Sequence, residues 1–233
     1  MRIATVLVTT LWLASCAGPE ARAPQDAAPD VAKKPELPEV AAELLELAAD
    51  DQRYERFVIR ADPVVREPGF FDEKRRRMVE RAERCKEIFV EFGFPGYDSV
   101  GEEASNAFWL LVQHADHDPS FQEEVLGAMK TAHRAGQADG PSLAYLTDRV
   151  RINTGRRQVY GTQVDFDHGT ARAFPKPLED PGSVDTRRAL VGLKPLWNYM
   201  NNASETFFIM NESELLSRGV TGPFRYEEGF DQW

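Results

Sequence analysis

Apolar positions recur at helical spacing along most of this chain. Val40, Leu44, Leu45 and Leu47 predict a first short helix that ends at the charged pair Asp50 and Asp51. Residues 53–71 hold Pro63, Pro68 and Gly69 and read as a loop or short insertion. A long charged helix over 72–92 follows, with Asp72 as its N-cap and Gly93 just past its end. Ser99 and Glu102 form a capping-box pattern that opens an apolar helix running to about Ala115. Asp118 and Pro119 supply a cap and a first-turn proline for a helix over 120–135, closed by Gly136. Gly140 and Pro141 open another that ends near 153–155.

The period then changes. Residues 158–166 alternate as a strand, and 170–174 pair with it across Asp167, His168 and Gly169. Residues 183–191 and 195–201 are short helices, and the chain from Thr206 reads as irregular. The expected fold is mainly α, a compact helical domain over 39–203 with one small β-hairpin and a C-terminal extension over 204–233. No internal repeat is present.

The N-terminus has a different character. Arg2 precedes a short apolar run from Ile3 to Leu13, and Leu13-Ala14-Ser15-Cys16 follows. An apolar run of about ten residues is too short to span a membrane and suits a secretory signal. The string ending in Cys16 has the form of a bacterial lipoprotein signal. On this reading residues 1–15 are removed and Cys16 is lipidated, with palmitate among the acyl chains expected. Residues 16–38, rich in Ala and Pro, form a disordered tether. Gly18, rather than Asp, follows the pattern for sorting to the outer membrane. The expected location is the cell envelope, with the lipid bilayer as one partner and the body facing the periplasm or the exterior.

The net charge of −10 makes nucleic acid and anionic lipid headgroups poor partners for the body as a whole, because that attraction needs clustered Lys and Arg. With Cys16 acylated, Cys85 has no internal partner; it reads as a small buried hydrophobe or, alternatively, a thiol nucleophile.

The densest polar string is Gln113-His114-Ala115-Asp116-His117-Asp118. If the helix continues, His114 and His117 share a face, as metal ligands or as a hydrolase histidine would. Asp148 and Arg149 stand among Leu143, Leu146, Val150 and Ile152, where an Asp is poorly explained by helix propensity. Asp148 would orient a histidine or join an internal salt bridge. In Gln158-Val159-Tyr160-Gly161-Thr162-Gln163, the glycine implies a bulge or a close approach, and the flanking groups suit a polar ligand.

Taken in order, these strings resemble a bacterial family, the domain of unknown function numbered 6624. The matching residues are Val100-Gly101-Glu102, Trp109 to Pro119, Phe121-Gln122, Ala144 to Val150, Tyr160 to Gln163, Glu179-Asp180-Pro181, Val184-Asp185 and Arg187-Arg188. The resemblance covers roughly 75–200, leaving out 53–71 and the tail. It implies no activity, assigns no catalytic residue and leaves any cofactor unknown, but it places the polar strings in one domain.

The candidate catalytic residues are therefore His114, His117 and Asp148, and the candidate ligand contacts are Gln113, Arg149, Tyr160, Thr162 and Gln163. A hydrolase acting on a small polar or peptidoglycan-related substrate is expected. The alternatives are a binding module for a polar ligand or envelope component, and a buried network that only fixes helix packing.

Overall fold

The computed structural model describes residues 36–60 and 62–233. The signal, Cys16 and almost all of the tether lie outside them. The described chain is mainly helical with one two-stranded hairpin, as the sequence pattern predicts.

The first helix, α1 (Pro38–Ile59), is far longer than its apolar pattern suggests and continues through Asp50 and Asp51. Much of the expected loop over 53–71 is thus helix; a single 3-10 turn, Pro63–Arg66, connects α1 to α2 (Phe70–Phe92). The cap of α2 also differs. Gly69, in the left-handed conformation at φ +85, precedes the helix, and Asp72 sits in its first turn. Gly93 ends α2 as expected.

After one turn of helix, α3 (Tyr97–Val100), comes α4 (Glu102–Gln113). Gly101 at φ +84 takes the capping position, and the Ser99 hydroxyl donates to the Gly96 carbonyl, so the capping box does not form. Asp118 does cap α5 (Pro119–Arg134), its Oδ1 accepting from the Phe121 amide at 3.0 Å. Asp139 caps α6 (Gly140–Asn153) in the same way.

These helices share one core. Leu44 of α1, Cys85 and Ile88 of α2, Phe108 and Val112 of α4, Val125 and Met129 of α5, and Leu146 and Val150 of α6 are all buried within it. Phe108 stacks on Phe89 and meets Phe94 edge-on. Burial pushes the Cys85 thiol up to about 12, so it is a packed, unreactive group.

A second core forms beyond α6. The hairpin is β1 (Val164–Asp167) against β2 (Arg172–Pro175), with Val164 opposite Pro175. The strand is shorter than the alternation predicts, because 158–163 is a loop. Helices α7 (Val184–Leu190) and α8 (Leu196–Met210) follow. The latter runs nine residues past its expected end, and α9 (Glu212–Ser217) succeeds it. The irregular tail folds back: Asn201 brackets the Tyr226 backbone, and the Tyr226 hydroxyl donates to the Ala173 carbonyl at 2.7 Å.

Candidate functional site: a histidine held by a buried aspartate

Because α4 stops at Gln113, His114 is its C-cap and the chain turns away. His114 and His117 therefore do not share a helix face. His117 lies exposed in the turn, while His114 points back at α1. Its Nδ1 is 2.8 Å from Oδ2 of Asp51. Asp51 is only 2 % exposed, and its Oδ1 accepts from Arg81 Nη2 at 2.9 Å. Arg81 also reaches Asp50 Oδ2 at 2.7 Å. Burial pushes the Asp51 carboxyl up, but His114 and Arg81 outweigh it and hold the group below the usual carboxylate range.

An ionised carboxylate can only accept. The proton between the two residues accordingly belongs on Nδ1 of His114, and Nε2 is the nitrogen left for chemistry. Glu55, one helical turn beyond Asp51, is paired with Lys74 at 2.6 Å. One ligand atom from each of Asp51, Glu55 and His114 lies within 4.8 Å of the others, the one such convergence of metal-ligating side chains found among the described residues.

The next residues of the same string close the corner between α4 and α5. Gln122 donates to the Val112 and Gln113 carbonyls at the end of α4, the former also accepting from the Ala115 amide at 3.0 Å. Asp116 accepts from Gln122, Asn153 and, at 2.7 Å, Arg149 Nη1. Arg149 is buried, which lowers its pKa, and Asp116 opposes that shift. Gln113 is buried, its Oε1 without a hydrogen-bond partner.

Asp148 does something other than orient a histidine. It is fully buried on α6, and both oxygens are committed to the loop over 158–163. Oδ1 accepts from the Val159 and Tyr160 amides at 2.7 and 3.0 Å. Oδ2 accepts from the Thr162 amide and hydroxyl at 2.9 and 3.0 Å. Burial raises its pKa, opposed by these hydrogen bonds. The loop's carbonyls are taken from the other side, Val159 by Arg187 Nε and Tyr160 by Arg188 Nη1.

Gln158 completes the frame, accepting from the Gln163 amide and donating to the Gln163 carbonyl. Gly161 adopts φ +71, and a Cβ there would stand 2.8 Å from Leu196 Cδ1, so the glycine marks a close approach. Tyr160 serves the loop through its backbone. Thr162 and Gln163 are buried, the Gln163 Oε1 without a hydrogen-bond partner.

The polar strings thus resolve into two arrangements. One is an acid–base cluster of His114, Asp51, Glu55 and Arg81, neighboured by Asp116 and Arg149. The other is a loop frame built on Asp148, Arg187 and Arg188. Asp51, Glu55 and Arg81 are the members that the sequence reading missed.

Fold and site together define a mainly helical domain with a buried carboxylate–histidine pair at the end of its central helix. The chain belongs to a family of unknown function (DUF6624), whose sequence model matches residues 38–210. The match is wider than the resemblance drawn from the motifs and includes 53–71. No curated protein and no solved structure matches the chain.

Proposed function

We propose that this chain is an envelope lipoprotein, anchored through lipidated Cys16, whose domain hydrolyses a small polar substrate with His114 as general base. Asp51 fixes the ring through Nδ1. Nε2 then removes a proton from water, the water oxygen attacks an electrophilic carbonyl or phosphoryl centre, and the leaving group takes the proton back from the imidazolium. The observation that carries this reading is the 2.8 Å contact between His114 Nδ1 and a buried, ionised Asp51. A carboxylate behind a half-buried imidazole stabilises the imidazolium that forms during proton transfer. The lipid anchor rests on the Leu13-Ala14-Ser15-Cys16 string, and an outer-membrane address on Gly18.

The experiment assays the full chain against ester, phosphoester and muropeptide panels beside His114→Ala, Asp51→Asn and His117→Ala. Turnover lost in the first two variants and kept in the third supports the reading. Turnover kept in His114→Ala overturns it, as does retention of a panel compound with no turnover.

The convergence of Glu55 on the pair favours a second reading, in which Asp51, Glu55 and His114 hold a divalent cation. Arg81 and Lys74 already neutralise both carboxylates, which disfavours an added cation. Stoichiometric metal in the purified chain, lost in His114→Ala, would select this second reading.

A further inference from the structure

The turn between α1 and α2 carries charge out of keeping with the rest of the molecule. Residues 53–77 hold eight Lys and Arg against five Asp and Glu, in a chain whose net charge is −10. Arg53, Arg76 and Arg77 are paired with Asp50, Glu73 and Glu80. Arg56, Arg60, Arg66 and Arg75 are different: all four are exposed, and none has an ion pair among the described residues. Unpaired, exposed guanidinium groups gathered at one end of an acidic protein are available to an external anion.

Exposed apolar groups lie among them. Ile59 is 40 % exposed and Phe71 59 % exposed. Arg56, Ile59 and Arg60 occupy the last turn of α1, and Phe71 and Arg75 lie one turn apart at the start of α2. Beneath them Tyr54, Phe57 and Phe70 pack ring on ring, with centroids 5.8 to 6.5 Å apart, so the tip is braced. Basic side chains around a few protruding apolar ones are the pattern of an interfacial membrane contact.

We propose that this tip docks on an anionic phospholipid surface, with Arg56, Arg60, Arg66 and Arg75 at the phosphates and Ile59 and Phe71 entering the headgroup layer. The proposal rests on the lipid-anchor reading for its biological setting, though not for its chemistry. The anchor permits it. Helix α1 has 22 residues, about 33 Å, and separates the tip from the point where the chain enters the domain. The segment from Cys16 to that point can reach on the order of 60 Å when extended, so a lipid at Cys16 does not hold the tip away from the bilayer.

The test uses residues 16–233 with Cys16→Ser, so that no lipid contributes. Binding is measured to vesicles of phosphatidylcholine alone and of phosphatidylcholine mixed with phosphatidylglycerol. The expected result is preference for the anionic vesicles, weakened by added salt, and reduced roughly tenfold or more by Arg56→Glu with Arg60→Glu. Phe71→Ser reduces it further, with unchanged thermal unfolding. Equal binding to both vesicles, or no effect of the charge reversals, overturns the proposal. Binding to an acidic polypeptide but not to vesicles overturns it too and assigns the tip to a protein partner. Mass measurement of the chain extracted from membranes tests lipidation separately, so each reading fails by itself.

Discussion

His114 and Asp51, 63 residues apart in sequence, meet through Nδ1 and Oδ2 at 2.8 Å, and the carboxylate is sealed beneath the imidazole. The contact ties the C-cap of α4 to the middle of α1. It makes Asp51 both a structural tie and the group that sets the histidine.

Acid should undo this tie. The folded carboxyl of Asp51 lies below its usual value, so its stabilisation is full above the unfolded pKa of about 3.9 and is lost as pH falls through the lower folded value. Urea unfolding of the wild type should weaken steeply below about pH 4. Asp51→Asn should be less stable at neutral pH and show a shallower loss in acid. Parallel pH profiles for the two proteins would refute this.

Removing Asp148 should be more damaging than its position inside one helix suggests. Asp148→Ala leaves the amides of Val159, Tyr160 and Thr162 and one hydroxyl without their acceptor, in a part of the molecule where Thr162 is 1 % exposed. A loss of about 3 kcal/mol or more is expected in denaturant unfolding. Amide exchange should speed up selectively over 158–163. A loss below about 1 kcal/mol would mean that water replaces the carboxylate.

Gly161→Ala tests the close approach. The new methyl would meet Leu196 Cδ1 at 2.8 Å, and φ +71 is unfavourable for alanine. Together these should cost about 1–3 kcal/mol in thermal unfolding. An unchanged midpoint would show that Leu196 moves aside freely.

The helical architecture and the hairpin were legible because apolar spacing and Asp118, Pro141, Gly93 and Gly136 mark them locally. Asp51 was not legible, for a physical reason. Leu44, Asp51 and Tyr54 stand at the seven- and three-residue spacings of one helix face, and all three are buried. A charged residue on that face interrupts the apolar pattern and reads as an exit. The cation from α2 and the imidazole that follows α4, both distant in sequence, do most to make its burial tolerable, beside the neighbouring Gln52 amide. Continuing the helix through Asp51 to Tyr54 was the available signal. Asp148 stands out as anomalous among its apolar neighbours, but its partners are chiefly backbone amides, which carry no side-chain signature.

The pairing of His114 with an ionised Asp51 is tested most directly by the tautomer of His114, read by ¹⁵N NMR of the imidazole at neutral pH. A proton on Nδ1 and an unprotonated Nε2 are expected in the neutral ring, with the preference lost in Asp51→Asn. A wild-type ring protonated on Nε2, with Nδ1 free, would contradict it.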